Sequence, residues 1–139
     1  MTFDETSLHD QTIFVDANAI IYHLQGLSPV AGNVFELAEQ KLVKLISTTG
    51  IIDEVIHKLL LIEARDQFGF TGKTIEKLRR DKTKIKFLAE DMNIVFSFIE
   101  HIDLQVKTIT HDDLKKIPET MKSYGLLGSD SLILVMMEK

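Results

Sequence analysis

Apolar positions along the chain change their spacing several times, and each change predicts a different element. Residues 12–16, TIFVD, combine β-branched and aromatic side chains, which predicts a short buried strand. Residues 46–52, ISTTGII, predict a second short strand together with its connections. Residues 101–110 alternate apolar and polar side chains, which is the two-residue period of a third strand.

Between these segments, apolar residues recur three or four positions apart, as they do on one face of a helix. This spacing covers residues 33–46, 53–65 and 74–100, and the last stretch is long enough for two helices. In residues 53–65 the apolar side chains occupy most of the helix circumference. That pattern predicts a deeply packed helix.

Polar residues near the C-terminal end predict where the last helices begin and end. Thr110 followed by Asp113 resembles a helix-capping arrangement, and Pro118 should break or kink the helix that follows. Ser129 is a natural N-cap for a final helix. Asp130 is then expected in the first turn of that helix.

The order of elements is strand, helix, strand, two or more helices, strand and helix. Such alternation is typical of an α/β protein with a mainly parallel sheet and helices on its faces. With 139 residues and 45% hydrophobic content, the chain is long enough for one core and short for two. We therefore expect a single domain over residues 1–139.

Composition restricts the location of the protein and the metals it can bind. The sequence has no apolar run of membrane-spanning length, and its N-terminal segment is polar and acidic, so we expect a cytoplasmic protein with no membrane partner. The absence of cysteine excludes disulfides and thiolate metal sites. Carboxylate, amide and histidine groups remain, and the first two favour hard cations.

Charge is unevenly distributed along the sequence. The net charge of −5 argues against a general attraction to nucleic acid. Residues 71–90, however, hold seven Lys and Arg against three Asp and Glu, and this excess of positive charge could contact phosphates. The alternative is a solvated helix face with many ion pairs.

Three segments of the sequence resemble a known family. VDANAIIYHL, DEVIHKLLLIEA and YGLLGSDSLILVMMEK resemble, in this order, the three acidic motifs of a PIN domain, and the resemblance spans nearly the whole chain. It is closest to PIN proteins of archaea and thermophiles, which include toxin ribonucleases of the VapC type. The resemblance implies a three-layer α/β/α fold in which clustered carboxylates bind Mg²⁺ or Mn²⁺ and RNA is cleaved.

The resemblance assigns roles to five residues. Asp16, Glu54 and Asp130 correspond to the three acids, and are expected to be both catalytic residues and metal ligands. Asn18 and Ser129 are expected to orient the substrate. Glu54 and Asp130 are expected in helix first turns, where the helix dipole favours the negative charge.

The chain departs from the family pattern at its end. PIN domains usually continue past the third motif with another strand, a turn that carries a fourth acid, and a last strand, whereas this sequence stops at Lys139. We therefore expect a PIN-like domain that is C-terminally incomplete and lacks its last strands. The loss of one ligand would weaken metal binding. Uncovered apolar surface would favour a homodimer or a partner chain.

Each candidate residue also has a purely structural interpretation. Asp16 could be an ordinary strand-exit carboxylate, and Asp130 could serve only to complement a helix dipole. Glu54 could lie on the surface or near a cap, because its neighbour Asp53 is a possible N-cap. His57 is more typical of a core or interface residue than of a metal ligand.

Three functions remain open at this point. The first is a metal-dependent endoribonuclease, held in check by an antitoxin protein if it is a toxin. The second is a PIN-fold module that binds RNA or protein without catalysis. The third is a phosphotransferase with Asp16 as nucleophile, which is disfavoured because Asn18 stands where such enzymes usually have a second acid. GFTGKT, residues 69–74, is not a phosphate loop, because only two residues separate its glycines.

Overall fold

The computed structural model describes residues 8–139, and its strands form one small parallel sheet. The strands are β1 (Thr12–Phe14), β2 (Lys44–Thr48) and β3 (Gln105–Lys107), and they lie in the order β1-β2-β3. Ile13 pairs with Leu45, and Ser47 pairs with Val106, in parallel register. The carboxyl ends of all three strands therefore meet at the same edge of the sheet.

Helices make up most of the remaining described chain and connect the parallel strands. They are α1 (Ala17–Leu24), α2 (Pro29–Glu39), α3 (Thr49–Phe68), α4 (Thr74–Arg80), α5 (Lys82–Asp91), α6 (Asn93–His101), α7 (His111–Lys115), α8 (Ile117–Tyr124) and α9 (Gly128–Met137). The α/β class with a parallel sheet is confirmed. Within residues 8–139, no helix is both long and apolar enough to cross a membrane.

The predicted boundary between the second strand and its helix is wrong by several residues. The strand ends at Thr48, where the side-chain hydroxyl accepts a hydrogen bond from the Ile51 N–H at 3.2 Å. This N-cap starts α3 at Thr49, so the apolar pair Ile51 and Ile52 belongs to the helix. Short apolar runs do not distinguish a strand from a buried helix start.

Other predicted helices differ from the structure in their ends. The helix predicted over 33–46 runs over Pro29–Glu39, because Ser28 caps it through a bond from the Ala31 N–H. The segment 74–100 forms three helices, and the first break is at Asp81, whose carboxylate accepts from the Thr83 N–H at 3.1 Å. A side-chain cap inside a helical pattern starts a new helix.

Two of the signals near the C-terminal end, the capping arrangement of Thr110 with Asp113 and the break at Pro118, are confirmed. Thr110 and Asp113 form both hydrogen bonds of a capping box at the start of α7. The helix ends at Lys115, and Pro118 lies in the first turn of α8, as expected for a residue that has no N–H to donate.

Two apolar clusters hold the elements together, and one of them includes the sheet. The larger cluster packs β2 against α1, α3 and α6, and includes the fully buried Ile20, Leu45, Val55 and Val95. Burial of each such aliphatic side chain stabilises the fold by about 1.5–3 kcal/mol. The smaller cluster consists of Ala64, Leu78 and Leu88, and it holds α4 and α5 against the C-terminal half of α3.

Candidate functional site

The carboxyl edge of the sheet contains a cavity of about 250 Å³, here called the edge cavity. Residues at or after the end of each strand line it, and α9 contributes a further wall. The lining includes Phe14 and Asp16 after β1, Thr48 at the end of β2, Glu54 of α3, Ile109 after β3, and Ser129, Leu132 and Ile133 of α9. All three strands therefore deliver side chains to one place, where α/β proteins commonly bind ligands.

Asp16 reaches the edge cavity from the turn between β1 and α1. One carboxylate oxygen, Oδ1, accepts a hydrogen bond from the Ala19 N–H at 2.9 Å, so Asp16 is the N-cap of α1. No residue in 8–139 donates a hydrogen bond to its other oxygen. The helix terminus favours negative charge here, and the cap fixes the direction of the carboxylate.

Glu54 lines the same cavity, but it is not in a helix first turn. Because α3 begins at Thr49 with Thr48 as its N-cap, Glu54 lies in the second turn and Asp53 is not the cap. The predicted first-turn position of Glu54 is therefore wrong. The dipole effect falls off within the first turn, so the helix terminus contributes little to the stability of the charged Glu54 side chain.

Lys58 forms an ion pair with Glu54. Its Nζ lies 2.8 Å from Oε1 of Glu54, one helical turn earlier. The hydrogen bond to Glu54 raises the pKa of Lys58, burial opposes this, and the negative charges of Glu54 and Asp16 add smaller upward effects. The ammonium group is thus within electrostatic reach of both carboxylates. A half-exposed pair of this kind is weak, so a more strongly bound cation would displace Lys58 from Glu54.

The start of α9 differs in part from the prediction. Asp130 lies in the first turn, as expected, but the N-cap position is Leu127, and Ser129 is the second residue of the helix. The prediction that Ser129 caps α9 is therefore wrong. Ser129 lines the edge cavity, whereas Asp130 is exposed and is not part of its wall.

Asn18 lies in a neighbouring groove of about 290 Å³ between α1 and α3, here called the α1–α3 groove. Tyr22, Lys58 and Arg65 line the same groove. The structure therefore brings Asp16, Glu54 and Ser129 together, and places Asn18 and Asp130 outside their cavity.

The donor atoms of the edge cavity suit a hard cation. Asp16 and Glu54 offer carboxylate oxygens, and Thr48 and Ser129 offer hydroxyls. Mg²⁺ is commonly bound by one or two carboxylates and keeps several waters, so this set fits it. Over the part of the chain that the structure describes, no group of three or more Asp, Glu or His side chains is arranged to hold a metal. Asp16 and Glu54 are the two acids that line the edge cavity.

Two residues of this region were missed by the sequence reasoning. The Glu54–Lys58 spacing of four residues on a helix is a known signal for an ion pair and could have identified Lys58. Thr48 could have been recognised as a helix start. His57, expected in the core or at an interface, is exposed on α3, so a core position is wrong.

No protein-family model matches the chain, and neither the curated proteins nor the solved structures contain a significant match. Function is therefore inferred from the geometry of the edge cavity and from the motif resemblance.

Proposed function

We propose that the chain is a metal-dependent endoribonuclease with a three-layer, PIN-like α/β/α fold. One observation carries this proposal: Asp16 and Glu54, far apart in sequence, line a single cavity at the carboxyl edge of a parallel sheet. Three parallel strands joined by helices are compatible with the three layers. The motif order supports the family assignment.

Each residue of the cavity has a role in this proposal. Asp16 and Glu54 would hold Mg²⁺ or Mn²⁺, and Lys58 would release Glu54 to the ion. When bound, the ion polarises a phosphate and lowers the pKa of a water molecule, which makes hydrolysis possible near neutral pH. The Ser129 hydroxyl can donate to a phosphate oxygen and orient it. Asp130 stays the predicted third acid, one residue beyond Ser129.

The test is cleavage of a structured RNA with Mn²⁺ by the wild type and by Asp16→Asn. Asparagine is also a good N-cap, so the Ala19 N–H keeps its acceptor and α1 keeps its start. Only the negative charge at the cavity is lost. Loss of residues that merely support metal ligands costs roughly 10- to 100-fold, so loss of a ligand should reduce cleavage by more than about 100-fold.

Asp53→Asn is the matched control. Asp53 is exposed, lies next to Glu54 on α3, and is not part of the cavity wall. The Asp53→Asn substitution changes the net charge by the same amount as Asp16→Asn and should leave cleavage unchanged. Equal cleavage by the wild type and Asp16→Asn would contradict the nuclease assignment.

A binding module without catalysis is the second candidate, and the position of Asp130 outside the cavity favours it. Calorimetric titration with Mn²⁺ separates the two. Tight binding that is lost in both Asp16→Asn and Glu54→Gln supports the nuclease, whereas the absence of binding in the wild type supports the module. An antitoxin partner and a homodimer stay predictions from the sequence.

A further inference from the structure

A compact group of phenylalanine rings and lysines lies where α3, α4 and α5 meet. The ring centroids of Phe68 and Phe70 are 5.8 Å apart, and those of Phe68 and Phe87 are 6.1 Å apart. Lys84 Nζ lies 5.2 Å from the centroid of Phe68 and 5.1 Å from that of Phe70, and Lys77 Nζ lies 5.2 Å from the centroid of Phe70. We call these five residues the basic-aromatic surface.

Most cations of the segment that contributes Lys77, Lys84 and Phe87 form no ion pair within the described residues. Residues 71–90 carry seven cations against three acids, in a chain whose net charge is −5. Within residues 8–139, Lys84 is the one cation of these seven that forms an ion pair, with Asp81 at 3.7 Å. The segment therefore forms largely exposed helices, as the alternative interpretation expects, but with fewer ion pairs than that interpretation implies. The remaining cations are free to neutralise an anionic partner.

The α3 helix connects this surface to the edge cavity. Phe68 follows Glu54 by fourteen residues, which is close to four helical turns, so both lie on nearly the same side of α3 and about 21 Å apart. Lys58 and Arg65 lie between them and line the α1–α3 groove. Cationic and aromatic side chains thus follow one another from the edge cavity to the basic-aromatic surface.

Two aromatic side chains along this line are available for stacking. Phe87 is 58% exposed at the basic-aromatic surface, and Tyr22 is 48% exposed beside the α1–α3 groove. A solvent-facing ring next to lysines is the combination with which proteins hold single strands, because bases stack on the ring and cations neutralise phosphates. A duplex cannot use the rings, because its bases are already stacked.

We propose that single-stranded RNA binds along this line, with bases on Phe87 and Tyr22 and its backbone over Lys77, Lys84 and Arg65. Such a strand would lead from the basic-aromatic surface through the α1–α3 groove to the edge cavity. The inference deepens the proposed nuclease function and rests on it for the choice of RNA. The inference predicts that the protein binds single-stranded RNA in the absence of metal.

The test is the anisotropy of a labelled uridine oligonucleotide, titrated with the protein in EDTA. Phe87→Ala should weaken binding roughly 5- to 150-fold, the range measured for one stacked base. Lys77→Gln combined with Lys84→Gln should reduce the slope of log K against log salt by roughly 1.4, or about 0.7 for each phosphate that a lysine no longer neutralises.

Matched controls lie elsewhere on the molecule. Phe96 is 49% exposed on α6, outside the ring cluster, so Phe96→Ala should bind as the wild type does. Lys115→Gln with Lys116→Gln removes two exposed charges at α7 and should leave the salt slope unchanged. If Phe87→Ala disturbs α5, as circular dichroism would show, Tyr22→Ala tests stacking from a different helix.

The outcomes separate this inference from the nuclease proposal. Wild-type affinity in Phe87→Ala and in Tyr22→Ala, or equal affinity for a duplex of the same length, would overturn the single-strand path. Because binding is measured without metal, the measured affinities test the single-strand path independently of the result of the cleavage assay. Asp16→Asn should bind the oligonucleotide at least as tightly as the wild type. If Asp16→Asn cleaves RNA normally while Phe87→Ala binds weakly, the nuclease proposal fails and the path stands.

Discussion

Asp113 is a buried carboxylate that belongs to both a helix cap and an ion pair. Its Oδ2 accepts a hydrogen bond from the Thr110 N–H at 2.8 Å and lies 2.9 Å from Nζ of Lys139. The bond from Thr110, followed by that from Lys139, lowers the pKa of Asp113 from 3.8 to about 2. Since the folded state has the lower pKa, the ionised group stabilises the fold above pH 3.8, and this stability is lost as the pH falls toward 2.

We predict that Asp113→Asn makes the stability of the protein less sensitive to acid. An asparagine oxygen can still accept from the Thr110 N–H, but it carries no charge for Lys139. The free energy of unfolding should be lower than that of the wild type at neutral pH, and should fall less steeply between pH 3.8 and 2. Urea unfolding at a series of pH values measures this. Asp112→Asn, which changes an exposed neighbour in α7, is the control. If the free energy of unfolding of Asp113→Asn falls with decreasing pH as steeply as that of the wild type, the prediction is wrong.

At the scale of elements, α3 positions both Glu54 and the basic-aromatic surface, and its two ends are set by different local interactions. Thr48 caps the start, as described above. At the end, Gly69 adopts a left-handed conformation with φ 67°, and its N–H donates to the Arg65 carbonyl at 2.9 Å. This turn directs the chain toward Phe70.

Replacement of Gly69 should therefore weaken the C-terminal end of α3. A Cβ at Gly69 would meet no neighbour within 4 Å, so the cost of Gly69→Ala comes from the positive φ alone. We expect a loss of about 1–2 kcal/mol in the free energy of unfolding. Gly72→Ala is the control, because Gly72 has no positive φ and the same open surroundings. Chemical denaturation compares them, and equal stability of the two variants would count against this account.

At the scale of the whole molecule, the edge cavity joins elements that are distant in sequence. Residues from the ends of three strands and from α3 and α9 meet there, so a cation held by Asp16 and Glu54 would bind the folded state and not the unfolded chain. Binding of this kind stabilises the fold by mass action.

We predict that Mn²⁺ raises the thermal stability of the wild type and not that of Asp16→Asn. A free concentration of 100 times Kd corresponds to about 2.7 kcal/mol of added stability. Differential scanning calorimetry with increasing Mn²⁺ measures the shift. Asp53→Asn should respond as the wild type does, and an equal shift in Asp16→Asn would show that the ion binds elsewhere.

How far the sequence predicted the fold depends on the range of the interaction involved. The capping box of Thr110 and Asp113 and the break at Pro118 were predicted correctly, because each depends on residues three or four positions apart. The start of α3 at Thr49 was missed, since apolar Ile51 and Ile52 fit a strand as well as a helix. The residue at which a helix begins depends on which nearby side chain forms the N-cap hydrogen bond.

The candidate site also combines features that the local sequence predicts with features that it does not. The position of Asp16 at the exit of a strand followed from the local pattern, and the structure places it beside Glu54. That Ser129 and not Asp130 faces the cavity depends on the rotation of α9 about its axis. The packing of α9 against α7 and α8 sets that rotation, and the side chains near the start of α9 do not reveal it.

By itself, the sequence determined the alternation of strands and helices, the parallel α/β class, the carboxylate at the exit of β1 and the basic segment 71–90. All of these depend on hydrogen bonds, periodicity and charge within a few residues. Only the tertiary structure decided that Asp16 lies near the Glu54–Lys58 pair, and that phenylalanines from α3, its following loop and α5 gather beside lysines. The physical reason is that packing between distant segments sets the distances between them, and a local pattern carries no information about those distances.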